Sequence, residues 1–307
     1  MEKSSIFIKG NKVLESPEFI PSLTSVKCSS NYVNLLDFLQ NQSITHCMIS
    51  AYDFYIFRKI LARFNFNKLQ KQGNLFFMDS GAFEIYNNLD PKKWNNNLLI
   101  KTARKFNPDV LVSLDYIHFQ DKEIFKEELK NYEIMRNRLK ETQQFYEIVI
   151  QCTKMKDIKK FLNNIEVDKK LLSICIPERN LGFSFLNRYQ KLHEIVNLIK
   201  IEYGFDQLLL HLMGCSLPSS IIKYSNLGID LFDGIHWQDM IYNPSENELV
   251  DLSKFLDVDC ECKFCNEFRL NKNKSEKFQE NYYMYYALSH NLYNYKLLMT
   301  KIKKGMI

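Results

Sequence analysis

Eight short apolar runs rich in β-branched residues, separated by longer stretches of helical periodicity, constrain this chain more than any other feature of its sequence. They are Ser5–Lys9, His46–Ser50, Leu75–Asp79, Val110–Asp115, Glu147–Gln151, Leu171–Ile176, Leu208–Met213 and Ile229–Ile235. Amphipathic stretches at Leu98–Phe106, Lys122–Thr142, Met155–Asn164, Tyr189–Ile201 and Pro218–Leu227 lie between them. Strands alternating with helices predict βα units and a parallel sheet. Eight such units favour an α/β fold closed as a (β/α)₈ TIM barrel over an open doubly wound sheet. The barrel is expected over residues 1–256, with Ser5–Lys9 the weakest of the eight runs.

Asp79, Asp115, Gln151, Glu178, Met213 and Asp233 each fall at, or just after, the C-terminal end of an expected strand. In a barrel those ends converge on the face where active sites are built. Polar residues follow strands in many surfaces, so a single case says little; six together point to one site.

Composition narrows the class less sharply. The 307 residues are 46% hydrophobic and 25% charged, ordinary for a globular chain. The aromatic share of 14% accompanies abundant Asn, Lys and Ile, the mark of AT-rich coding, and is not read as a stacking signal. A net charge of +5 suits a polyanionic partner, and suits equally many cytosolic enzymes without one. The start, MEKSSIFIKG, lacks the apolar core of a secretion signal, and no apolar run is long enough to span a membrane. A cytoplasmic location is expected.

Cysteines in a reducing compartment are read first as metal ligands. Cys260, Cys262 and Cys265 form C-x-C-x₂-C, and His290 follows in Ala287-Leu-Ser-His-Asn-Leu292. Three thiolates and one imidazole satisfy a tetrahedral Zn²⁺ with no position left open, so the ion is expected to be structural. It would tie a last helix, Phe278–Lys304, to the barrel, making residues 257–307 a C-terminal zinc-binding segment joined through the Lys/Asn-rich stretch 271–277. Cys28, Cys47, Cys152 and Cys175 stand alone and are expected to be small buried hydrophobes.

Two segments pair an acid with glycine at a strand end: Phe77-Met-Asp79-Ser80-Gly81 and Gly228-Ile-Asp230-Leu-Phe-Asp233-Gly234. Two carboxylates on one barrel face can divide nucleophilic and proton-transfer duties at an anomeric carbon. Helix capping and surface solvation account for such acids equally well.

Here the chain resembles the tRNA-guanine transglycosylases and their DNA-modifying relatives, over residues 75–307. Met78-Asp-Ser-Gly-Ala-Phe83 resembles the family's T-D-S-G-G/A-F/Y segment, His211-Leu-Met-Gly-Cys-Ser-Leu-Pro218 its Y-L-M-G-V-G-x-P, and Gly228-Ile-Asp-Leu-Phe-Asp233 its G-V/I-D-x-F-D. The cysteine cluster followed by Ser289-His-Asn-Leu292 is a fourth correspondence. The resemblance implies a pentosyltransferase in which Asp233 is the nucleophile at C1′ of a guanine nucleoside and Asp79 the general acid/base. It implies Asp115 as acceptor for the guanine N1–H and amine, Gln151 on the carbonyl side, and Ser80 beside the base. Phe83 and Met213 would sandwich the heterocycle, with Gly214 in the same binding segment; barrel core is an equal reading for Phe83 and Met213.

The chain departs from the tRNA-modifying pattern after the nucleophile. Pro-Thr-Arg is replaced by Gly234-Ile-His-Trp-Gln-Asp239, and Ser173-Ile-Cys-Ile-Pro-Glu178 lacks the glycines of queuine-type enzymes. The chain also ends soon after the zinc helix. The resemblance is therefore nearer to the short DNA 7-deazapurine transglycosylases of phages and bacterial modification islands. It implies DNA as polymer partner, with free guanine and a 7-deazaguanine such as 7-cyano-7-deazaguanine as the exchanged bases. Trp237 and Arg179 are candidate base-stacking or phosphate contacts. A tRNA substrate, a hydrolytic nucleosidase and a non-catalytic zinc-containing subunit are the alternatives, and a homodimer stays open.

Overall fold

The computed structural model describes residues 6–9, 12–28, 32–41, 46–57, 73–88, 94–115, 124–271 and 279–307. Its first two strands, β1 (Ile6–Lys9) and β2 (Lys12–Glu15), form an antiparallel hairpin. Eight parallel strands follow: β3 (Glu18–Leu23), β4 (His46–Ser50), β5 (Leu75–Asp79), β6 (Val110–Val112), β7 (Phe145–Val149), β8 (Leu171–Pro177), β9 (Leu209–Met213) and β10 (Leu231–Gly234). They close into a barrel, β10 pairing back onto β3 with Leu231 opposite Glu18 and Asp233 opposite Ile20. A second hairpin, β11 (Met240–Asn243) with β12 (Glu248–Asp251), comes after the barrel. The TIM-barrel reading is correct.

The first barrel strand is not the expected one. From the Ser5–Lys9 run, Ile6–Lys9 forms β1 of the hairpin, and Glu18–Leu23 takes its place in the barrel. Pro17 and Pro21 flank and interrupt the Glu18–Leu23 run, and proline argues against a central strand because it lacks a ladder donor. Pro21 is accommodated opposite Gly234, the last shared rung with β10. The hairpin lies at the opposite end of the barrel, where Leu14 joins the lumen core and Lys12 Nζ binds both oxygens of Asp109 at 2.7 Å, just ahead of β6.

The period-two pleat sorts side chains into two cores. Leu75 and Phe77 fill the lumen while Phe76 and Met78 pack outward against helices; Leu231 points in and Phe232 out. Continuing that alternation by one step brings Asp79, Asp233, Ser22 and Ser50 over the lumen at its C-terminal mouth.

Five helices fall where periodicity places them: Asn96–Phe106, Ile124–Leu139, Met155–Leu162, Phe185–Asn197 and Pro218–Ser225. Asn95 caps the first by accepting from the backbone N–H groups of Asn97 and Leu98, and Asn107 ends it in the left-handed region. Helices at Tyr32–Asn41, Ala51–Ile56 and Ala82–Asn88 were not anticipated. Much of the 271–277 connection, and Phe278, lie outside the described residues. The last helix runs Gln279–Lys303; Tyr295 stacks on Phe19 of β3 at 4.0 Å, and Lys303 binds Glu18 at 2.9 Å. No described helix is long and apolar enough to cross a membrane.

Candidate active site and metal centre

The mouth of the barrel holds a cavity of about 310 Å³, at the small end of ligand pockets. Asp79, Ser80, Phe83, Asp115, Met213, Gly214 and Asp233 all line it. Gln151 does not: it stands behind Asp115, donating from Nε2 to Asp115 Oδ2 at 2.6 Å while its Oε1 accepts from Asn180.

Asp233 is held on both oxygens. Ser22 Oγ donates to Oδ2 at 2.7 Å, and the Gly214 amide donates to Oδ1 at 2.8 Å. Next to it, Gly234 lies against Ser216, whose Cβ would sit 2.6 Å from a Cβ added at Gly234. Asp79 is half-buried and, among the described residues, accepts only a long bond from the Gly81 amide, 3.3 Å. Burial first, then the charges of Glu84, Asp115 and Asp233, push its pKa well above the usual carboxylate range. That combination favours the protonated carboxyl, the form a proton donor needs.

Asp115 is buried and accepts from Ser80 Oγ and Gln151 Nε2, and burial raises its pKa against those bonds. Ser80 therefore spends its hydroxyl hydrogen on Asp115, and its oxygen accepts from the Ala82 amide at 3.1 Å. Asp115 still presents an acceptor group to the cavity, as a guanine-type edge requires. Phe83 and Met213 both reach the cavity while remaining partly buried.

Sequence reasoning missed three contributors. Ser22 lies on the strand that its prolines disguised. Glu84, in the first turn of the Ala82–Asn88 helix, lines the cavity, is 1% exposed, and accepts from Ser50 Oγ at 2.7 Å. Burial and the Asp53 charge push it up to about 7. The third is His211, whose surroundings are described below. One expectation is corrected: Trp237 is fully buried, its Nε1 donating to the Ser22 carbonyl at 2.9 Å, so it cannot stack on a base. Arg179 is exposed at the cavity rim, and its charge reaches Asp115.

Away from the mouth, Cys260, Cys262, Cys265 and His290 are all buried, with their ligand atoms within 4.8 Å of one another. Cys262 Sγ and Cys265 Sγ stand 3.5 and 3.1 Å from His290 Nδ1. Tetrahedral zinc, with bonds of about 2.3 Å to sulfur and about 2.0 Å to nitrogen, sets such corners about 3.5 Å apart. His290 Nε2 donates to the Tyr242 carbonyl at 2.7 Å, which fixes the tautomer and leaves the Nδ1 lone pair for the ion. The donor set fits a structural zinc. When bound, the ion would join the last helix to the 260–265 segment, while Asn291, next to His290, ties that helix to the chain after β10, donating to the Trp237 carbonyl at 2.8 Å and accepting from the Tyr242 amide.

No curated protein matches the chain at a significant level. A family model described as queuine tRNA-ribosyltransferase matches residues 10–307, reaching well ahead of the segments that suggested it. Its span takes in the barrel, the acids at its mouth and the zinc ligands alike, and the chain belongs to this family of pentosyltransferases, the guanine transglycosylases.

Proposed function

We propose that this enzyme replaces guanine in DNA with a 7-deazaguanine through a covalent Asp233–nucleic acid intermediate. The observation that carries the reading is the meeting of Asp79, Asp115 and Asp233 on one cavity with Phe83 and Met213. A guanine nucleotide flipped from its stack enters the cavity, its N1–H and amine bonded to Asp115. An Asp233 oxygen forms a bond to C1′ as the C1′–N9 bond breaks, and the proton on Asp79 passes to the departing guanine. The incoming base returns an N9 proton to Asp79 and attacks C1′, freeing the Asp233 carboxylate. Gln151 orients Asp115 in this scheme and Ser80 shares that task, while Gly214 steadies Asp233. The catalytic unit is assigned to residues 1–256, the barrel with its two flanking hairpins, and the zinc-binding segment to 257–307.

The absence of Pro-Thr-Arg after Asp233 supports DNA, since the replacement segment turns Trp237 inward and not toward a polymer. The description of the matching family supports the second reading, tRNA. Incubation with labelled guanine and either polymer decides between them: label is expected in DNA, and label in tRNA alone overturns the DNA assignment. Asp233→Ala is expected to abolish the denaturant-stable adduct and Asp79→Asn to block exchange. Exchange by Asp233→Ala at the wild-type rate refutes the nucleophile.

A further inference from the structure

We propose that His211 is a positioning residue for the nucleophile: anchored by Glu147 inside the barrel lumen, its imidazole orients Asp233 and opposes its charge. The inference rests on the reading above that Asp233 attacks C1′.

Three neighbouring lumen positions create the arrangement. Glu147 on β7, His211 on β9 and Asp233 on β10 all project inward, and the first two are completely buried. His211 Nδ1 lies 3.3 and 3.2 Å from the two Glu147 oxygens. On its other side, His211 Nε2 stands 3.4 Å from Asp233 Oδ1, an ion-pair separation without hydrogen-bond geometry, and no hydrogen-bond partner satisfies it among the described residues. The β8 strand completes the layer: Ser173 Oγ donates to Glu147 Oε1 at 2.7 Å, and Cys175 Sγ is 3.7 Å from His211 Nδ1. The groups around the ring are thus two acids, a thiol and a hydroxyl.

A carboxylate buried this deeply needs a counter-charge, and a protonated imidazole between two acids provides one for both. Burial alone pulls the ring toward its neutral form; the Glu147 charge, followed by Cys175 and the nearby Asp233 carboxylate, outweighs it and raises the pKa well above the usual value. Where the resembling segment has tyrosine, His211 thus places a charged group under the nucleophile. The imidazolium transfers no proton. When the incoming base attacks C1′, the C1′–O bond breaks and its electron pair returns to Asp233, where the adjacent positive charge receives it. His211 touches neither base nor sugar, so its contribution falls on the chemical steps and not on base binding.

The test combines kinetics with the ring's own state, using the zinc-loaded protein. ¹⁵N-histidine spectra of the native protein are expected to show one imidazolium that persists well above the usual histidine range and titrates at lower pH in Glu147→Gln. The alkaline limb of kcat is expected to move to lower pH in the same variant, a change that a merely structural role would not cause. His211→Phe is expected to slow breakdown of the adduct by the incoming base about 100-fold with KM for the free base nearly unchanged. Should that variant not fold, the native spectra and Glu147→Gln carry the test. A neutral His211 at neutral pH overturns the inference, as does an unmoved alkaline limb in Glu147→Gln. So does a second equivalent of bound zinc lost on mutation of Cys175, which would make the layer a metal site. Asp233→Ala separates the two levels: if it still exchanges bases, the parent reading fails, and if it is inactive while His211→Phe is unimpaired, only the positioning role fails.

Discussion

Ser22 Oγ donates to Asp233 Oδ2 at 2.7 Å from the neighbouring strand of the barrel seam. The same residue's carbonyl accepts from Trp237 Nε1 and Gln238 Nε2, so both its backbone and its side chain are fixed. A hydrogen bond to a charged group contributes about 1.5–3 kcal/mol. Ser22→Ala is therefore expected to reduce single-turnover adduct formation about 10-fold or more, with thermal stability little changed. An unaltered rate would mean that Ser22 does not orient Asp233, the proposed nucleophile.

Glu84 imposes a stability cost that depends on pH. Its folded-state pKa is raised from 4.5 to about 7, so between those values the folded chain holds a proton that the unfolded chain has released. The neutral form is favoured by folding; stability is full below the unfolded value, falls as pH climbs, and is lowest above about 7. Glu84→Gln, which keeps an acceptor for Ser50, is expected to match the wild type at pH 4 and to melt about 3 °C higher or more at pH 8. A constant difference across that range would show that ionisation of Glu84 is not the source.

Much of the mouth was readable because strand alternation carries a code. Asp79 and Asp233 follow Phe77 and Leu231 at the interval that points lumenward, and the glycines near them mark a turn at Gly81 and a close approach to Ser216 at Gly234. Ser22 was hidden because Pro17 and Pro21 mask its strand, and proline tolerance at the barrel seam is a tertiary property. His211 and Glu147 read as polar strand residues; only closure of the barrel brings positions 64 residues apart within 3.2 Å. Trp237 looked like a stacking surface because its cover, the Gln279–Lys303 helix, comes from 54 positions downstream through Asn291. Local pattern decides which way a side chain points, and distant chain decides what buries it.

That cover links the zinc to the chemistry. His290 leads to Asn291, Asn291 to Trp237, Trp237 to Ser22, and Ser22 to Asp233, each step a contact of 2.9 Å or less after the first covalent neighbour. One zinc per chain is expected by elemental analysis, and Cys265→Ser is expected to lose it and to melt about 10 °C lower or more. Asn291→Ala should retain the ion while exchanging bases about 10-fold more slowly. Full activity in Asn291→Ala would break the proposed link while leaving the structural role of the metal untouched.

Gly81 places Asp79, the proposed general acid, by a constraint no other residue satisfies. Its φ is +83°, a region that disfavours side chains, and an added Cβ would come within 2.6 Å of Tyr52 Cβ and 2.9 Å of the Tyr52 amide nitrogen. Tyr52 cannot withdraw easily, because its backbone belongs to the Ala51–Ile56 helix and its ring packs edge-on against Trp94, which in turn donates to the Ser80 carbonyl. Relief must come from the Asp79–Gly81 turn itself. Gly81→Ala is expected to lower stability by about 2–4 kcal/mol and to move Asp79, whose bond from the Gly81 amide is already long. The measurements are denaturant unfolding and the rate of guanine exchange in whatever fraction stays folded. Exchange at the wild-type rate would show that the turn can shift without carrying the acid with it.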